Sequence, residues 1–142
     1  MSVILENVGI AVRDLEEAIE YFSALGLTAL GRDEVSGGWS DEAVDLDGNH
    51  AKIALLATPD GLGKLELFEY LHPTAIDTHP TRPNEIGMHR VAFRVDNLDE
   101  ALGSLADLGH APLRSVARYR DLYRLCYVTG PSNIIVMLAE EL

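Results

Sequence analysis

Residues 8–26 return, imperfectly, at residues 91–109. At an offset of 83, Val8-Gly9-Ile10-Ala11-Val12 falls on Val91-Ala92-Phe93-Arg94-Val95. Asp14 to Ile19 then falls on Asn97 to Leu102, and Leu25-Gly26 on Leu108-Gly109. A second match, at an offset of 71, lays Thr58 to Leu67 on Thr129 to Leu138 without a gap. Both runs read Thr, a Gly/Pro-rich turn, and a short strand ending in Leu. Two copies of a unit roughly 70 residues long imply a pseudo-twofold protein. Such proteins build sites between their halves, so equivalent positions are the first place to look for chemistry.

The length of 142 residues suits one globular domain, or two small modules sharing a core, and can bury roughly two-thirds of its surface. The longest apolar run, Ile134 to Ala139, is far too short to cross a bilayer. The opening Met1 to Glu6 has neither a basic region nor a long apolar stretch, so a cytoplasmic protein without a signal peptide is expected. Cys126, the single cysteine, sits in the apolar run Leu125-Cys126-Tyr127-Val128 with no partner motif and reads as a buried strand thiol.

A net charge of −12 argues against a nucleic-acid partner, which needs a basic face. The charge is lopsided: residues 1–80 hold 4 basic and 15 acidic side chains, and residues 81–142 hold 7 and 8. Arg114, Arg118, Arg120 and Arg124 fall within eleven residues, with Arg90 and Arg94 on a nearby strand. Two readings stand: an anion-binding wall, or a solvated strand-and-loop edge.

Periodicity and caps predict the elements. Leu5 to Val12 reads as a half-buried strand. Asp14 is a suitable N-cap, and Leu15, Ile19, Phe22 and Leu25 form an apolar stripe that Gly26 ends. Asn97, the stripe Leu98, Leu102, Leu105, Leu108, and Gly109 repeat this. Strands are expected at Leu27–Arg32, Trp39–Leu46, Ala51–Ala57 and Lys64–Tyr70, then at Pro112–Val116, Tyr123–Val128 and Ile134–Leu138, with turns at Gly37-Gly38, Asp47-Gly48-Asn49 and Pro59-Asp60-Gly61. The predicted class is α+β, built from paired βαβββ modules at 1–70 and 87–142. Residues 71–86, which include His72-Pro73, His79-Pro80 and Arg82-Pro83, are the linker.

The run Glu6-Asn7-Val8-Gly9-Ile10-Ala11-Val12-Arg13-Asp14-Leu15, followed by Leu25-Gly26-Leu27, resembles the first module of the vicinal oxygen chelate superfamily. That group includes glyoxalase I, methylmalonyl-CoA epimerase, extradiol dioxygenases and bleomycin-resistance proteins. His89 to Leu98 resembles the start of its second module, and Gly130-Pro131-Ser132-Asn133 stands where such proteins carry Asp-Pro-Asp-Gly. Tyr119 to Pro131 is similar to a glyoxalase/bleomycin-resistance-like subgroup. The resemblance covers essentially the whole chain. It implies the glyoxalase/bleomycin-resistance-like fold, with a cleft between curved sheets, and it bears weakly on the reaction because this scaffold hosts many chemistries.

Metal-dependent relatives hold an ion with one residue from each of four strands. The resemblance places those positions on Asn7, Glu66, Arg90 and Met137, and the offsets of 83 and 71 relate them pairwise. A hard or borderline divalent ion wants carboxylates and imidazoles. Here Asn is weak, Met suits soft metals, and Arg repels the ion, so no metal and no cofactor are expected. His89 is one residue out of register and should point away from the cleft, since Val91, Phe93 and Val95 need the helix-packing face. His50 and His110 read as turn or surface residues.

Alternation from Arg90 puts Ala92 and Arg94 in the cleft, and alternation from Asn7 puts Gly9 and Ala11 there. These small residues leave room for a ligand, with Glu66 and Phe68 as a wall. Glu66 has two readings: half of a buried ion pair with Arg90 in place of the metal, or a general base poised by partial burial. Tyr123 and Tyr127 share one face of their strand and Arg124 with Cys126 the other, so either set can meet a ligand. Trp39, beside Gly37-Gly38, is a mobile lid or an ordinary strand-edge tryptophan.

The expected function is a metal-independent glyoxalase-like protein acting on an anionic, partly apolar oxygenated metabolite as an isomerase, lyase or cyclase, with Glu66 and Arg90 as the catalytic pair. Asn7, Phe68, Arg94, Tyr123, Arg124, Tyr127, Met137 and Trp39 are the candidate ligand-binding residues. The alternatives are an antibiotic-sequestering protein of the bleomycin-resistance kind, a noncatalytic regulator, and a divalent-metal-dependent lyase or dioxygenase. The expected partners are a small-molecule ligand and a second copy of the chain, with no nucleic acid and no membrane.

Overall fold

A strand, a polar cap and an apolar helical stripe open each copy, and both copies fold as those residues direct. The computed structural model describes residues 1–142 and divides into two units, Met1–Asp77 and Thr78–Leu142. In the first, β1 (Val8–Ala11) leads to α1 (Leu15–Ala24). The Asp14 carboxylate accepts the Glu17 backbone N–H at 3.1 Å, satisfying a donor that every helix start leaves open. Leu15, Ala18, Ile19 and Phe22 recur at helical spacing and are buried. The helix ends where Gly26 takes φ 97°, a left-handed conformation that glycine adopts at little cost. In the second unit β5 (Val91–Arg94) and α3 (Leu98–Ala106) repeat this, with Asn97 Oδ1 accepting the Glu100 N–H at 3.0 Å.

A second helix-start device takes its acceptors from outside both sequence matches. Glu69 Oε1 accepts the Leu15 N–H at 3.1 Å, and Glu140 Oε2 accepts the Leu98 N–H at 2.7 Å. The glutamates obey the same 71-residue offset, and their partners the 83-residue one. Each carboxylate also sits at the positive end of a helix, where an anion is stabilised.

β2 (Thr28–Ser36), β3 (His50–Ala57) and β4 (Lys64–His72) complete the first sheet, in the order β1-β4-β3-β2. β1 runs parallel to β4, and the other pairs are antiparallel. The second sheet has the same plan: β6 (Ala117–Tyr119), β7 (Tyr123–Thr129) and β8 (Ile135–Glu141) give the order β5-β8-β7-β6, with β5 parallel to β8. The helix side of each sheet is the core. Ala54, Leu56, Leu65 and Leu67 are buried in the first unit, and Cys126, Val128, Val136 and Leu138 in the second. A Cβ on Gly130 would lie 2.8 Å from Ile134 Cγ1 and 2.9 Å from Val136 Cγ2. A side chain there would force Ile134 or Val136 to shift.

The α+β class and the two βαβββ modules are as expected, with three local corrections. Trp39–Leu46 is not a strand: Gly38–Val44 forms a helix, α2. Asp41 accepts the backbone N–H groups of Gly48 and Asn49 at 2.9 and 2.7 Å, and Asn49 Nδ2 donates to the buried Ser40 Oγ at 2.5 Å. Those bonds draw the segment back onto its own following turn. Pro112–Val116 is not a strand either: Pro112 makes one isolated bridge to Val128, and pairing resumes at Ala117. Proline has no N–H to give a ladder. The first strand is also shorter than Leu5–Val12, with Leu5 exposed. No helix is long and apolar enough to cross a membrane.

Candidate functional site

Because strand residues alternate, the face of each sheet opposite its helix is set by the register. In the first unit Gly9 and Leu55 flank Glu66, and Ala11 and Ile53 flank Phe68. Leu65 and Leu67 take the helix side, so Glu66, Phe68, Leu55, Ile53, Gly9 and Ala11 share the other face. Asn7, one residue before β1, donates Nδ2–H to Glu66 Oε2 at 3.0 Å. A Cβ on Gly9 would lie 3.4 Å from the Phe68 ring, and Phe68 stacks with Tyr70 at 6.1 Å between ring centroids. A recess of about 500 Å³ opens on this face, lined by Asn7, Glu66, Leu30, Gly31, Ile53 and Leu55 among others. It brings the carboxylates of Glu66, Glu6 and Asp33 and the Arg32 guanidinium around an apolar floor of Leu30, Ile53 and Leu55.

In the second unit Ala92 and Tyr127 flank Met137, and Arg94 and Leu125 flank Ala139. Arg90, one residue before β5, donates Nε–H to the Tyr127 hydroxyl at 3.2 Å, and its guanidinium carbon lies 5.7 Å from that ring's centroid. The His89 ring meets Tyr127 edge-on at 5.5 Å. Arg94 pairs with Glu141 at 3.2 Å. This face presents a cation held by a neutral phenol.

Of the candidate residues, Asn7, Glu66 and Phe68 come together in the first unit. Arg90, Arg94, Tyr127 and Met137, with Tyr123, come together on one face in the second. The phase of β7, open in the sequence, is settled by its register: Tyr127 lies opposite Met137, and Arg124 turns with Cys126 and Val128 to the helix side. There Arg124 pairs with Asp99 at 3.0 Å and Glu140 at 3.7 Å. Trp39 stands on α2, 66% exposed, and does not line the recess. Sequence reasoning missed Gly31, Ile53, Leu55 and Tyr70. Tyr70 was accessible to it, since alternation from Glu66 and Phe68 reaches Tyr70 next.

The four positions that the resemblance assigns to a metal do not fit one. Glu66 is the only anionic donor of the four, and one of its oxygens takes the Asn7 amide N–H; Arg90 is a permanent cation and Met137 a thioether. Within either unit, no three His, Cys, Asp or Glu side chains gather into a metal-holding group.

Cys126 is no part of the open face. It is 3% exposed, and burial pushes its thiol up from the ordinary value against a weaker opposing pull from Arg124. The thiolate is the reactive form. Iodoacetamide under mildly alkaline conditions should therefore leave Cys126 unmodified in the folded protein and label it in urea, as read by intact mass. Rapid labelling of the native protein would show that this thiol is accessible.

The chain matches the sequence profile of the Glyoxalase/Bleomycin resistance protein/Dioxygenase superfamily over residues 6–127. The crystal structure of a glyoxalase family protein from Bacillus cereus is 38% identical, with a TM-score of 0.95, and the match covers 100% of this chain and 96% of that one. A glyoxylase/bleomycin resistance protein/dioxygenase domain from Frankia sp. EAN1pec shares the fold at 18% identity and a TM-score of 0.71, with 100% of both chains covered. A glyoxalase I mutant from Zea mays does so at 16% identity and a TM-score of 0.70, over 98% of this chain and 48% of that one. No curated protein matches at a significant level. With its profile match spanning most of the sequence and a relative 38% identical along its whole length, the chain belongs to the Glyoxalase/Bleomycin resistance protein/Dioxygenase superfamily.

Proposed function

We propose that this is a metal-independent glyoxalase-like enzyme that acts on an anionic, partly apolar oxygenated metabolite as an isomerase, lyase or cyclase. In this reading it works in the cytoplasm as a homodimer. Glu66 is the proton acceptor and Arg90 the anion anchor. The observation that carries the reading is the Glu66 carboxylate, held by Asn7 at 3.0 Å on the wall of a recess with an apolar floor and a charged rim. One carboxylate oxygen is fixed by the amide, and the other takes the proton. A general base needs that combination of fixed direction and a remaining lone pair. The Arg90 guanidinium, always charged and planar, suits a carboxylate or the oxygen of a developing enolate.

A panel of small organic acids screened by thermal shift identifies the ligand, and Glu66→Gln then separates the roles. The amide keeps the shape but cannot take a proton. Turnover should vanish while affinity stays within about tenfold of the parent protein. Turnover surviving in Glu66→Gln would remove Glu66 as the base. Preference for cations, with Arg90→Ala improving affinity, would reverse the assigned ligand charge.

The apolar floor of Leu30, Ile53 and Leu55 and the stacked Phe68–Tyr70 pair favour a second reading, a protein that sequesters a small molecule without changing it. Glu66→Gln then leaves binding nearly intact, and the parent protein shows no turnover of any ligand it binds.

A further inference from the structure

We infer that Tyr127 is a positioning residue that aims the Arg90 guanidinium, so that a ligand carboxylate docks end-on against its two Nη groups. The inference rests on the reading of Arg90 as an anion anchor and adds how the anion is held. A guanidinium offers a carboxylate two double-donor edges, one made by Nε with an Nη and the other by the two Nη groups. The Arg90 Nε–H is already given to the Tyr127 hydroxyl at 3.2 Å, which leaves the Nη edge.

Tyr127 is itself held. It lies opposite Met137 in the β7–β8 ladder, and the His89 ring packs edge-on against it at 5.5 Å. Its ring also lies 5.7 Å from the Arg90 guanidinium carbon, within cation–π range. The long arginine side chain is thus restrained at two points, its Nε and the face of its charged group. A phenol oxygen that accepts from Nε–H keeps its own proton to donate. Pre-organised donors strengthen binding because less side-chain freedom is lost when the ligand arrives.

Tyr127→Phe tests this, because it keeps the ring and its two ring contacts and removes only the oxygen. Benzoate serves as the planar apolar acid and benzamide as its neutral counterpart, each followed by NMR of arginine-labelled protein. In the parent protein benzoate should shift the Arg90 Nη signals and leave Nε–H nearly unmoved, and benzamide should shift neither. In Tyr127→Phe the Arg90 Nε–H signal should move before any ligand is added, and benzoate should bind about five- to tenfold more weakly. Benzoate affinity within about twofold of the parent, or an unmoved Nε–H signal, removes Tyr127 from the grip and leaves Arg90 as anchor. A benzoate shift at Nε in the parent protein overturns end-on docking even if the variant fails to fold. No benzoate binding to the parent protein, or equal binding of benzamide, sinks the anion-anchor reading itself.

Discussion

Phe22→Ala should cost about 3–5 kcal/mol of stability, a large fraction of what a domain of this size has to spare. Phe22 is 0% exposed on the inner stripe of α1 and meets Tyr21 edge-to-face at 5.1 Å between centroids. Truncation removes the transfer free energy of the ring and leaves a void that close-packed neighbours only partly fill. The equivalent residue in the second copy, at the 83-residue offset, is Leu105, which is 1% exposed. Leu105→Ala should cost about 2–5 kcal/mol, on the same grounds with fewer atoms removed. Urea titration of the three proteins reads both values. A loss below about 1 kcal/mol for Phe22→Ala would mean that the α1 stripe is not the core of its unit.

Glu140→Ala should cost about 1.5–3 kcal/mol, and Glu140→Gln distinctly less. Leu98, whose backbone N–H donates to Glu140 at 2.7 Å, is 0% exposed. Water is poorly placed to replace the lost acceptor, so alanine leaves an unsatisfied donor at a helix start. Glutamine keeps an acceptor oxygen and loses only the charge. Arg124, 3.7 Å from Glu140, keeps its Asp99 partner, so the cost falls mainly on the helix start. Glu69→Ala tests the equivalent contact in the first unit, at 3.1 Å to the Leu15 N–H. Equal losses for Glu140→Ala and Glu140→Gln would show that charge, not the hydrogen bond, is what matters there.

Much of this fold is legible in the chain because its signals are local. Asp14 and Asn97 cap their helices within three residues, the stripes read at helical spacing, and Gly26 and Gly109 stop them. The two offsets carry further than the matches that define them, since they also relate Glu69 to Glu140. They place Asn7 with Glu66, and Arg90 with Met137, at equivalent points of two sheets. Residue type at those points shows why a divalent ion does not suit them.

Other features depend on contacts that no local pattern encodes. Gly38–Val44 is helical because Asp41 and Ser40 bond to Gly48 and Asn49, partners outside any strand-or-helix window centred on Trp39. Tyr123 to Thr129 alternates equally well in either phase. Only its register with β8, and the ion pairs of Arg124 on the α3 side, decide that Tyr127 faces Arg90's side of the sheet. The Asn7–Glu66 bond joins residues 59 apart in the chain. The sequence by itself thus determined the repeat, the elements that its caps and stripes write out, and the residue types at equivalent positions. Tertiary structure decided which partner each polar group takes, because alternation leaves two faces open and only cross-strand register and helix packing choose between them.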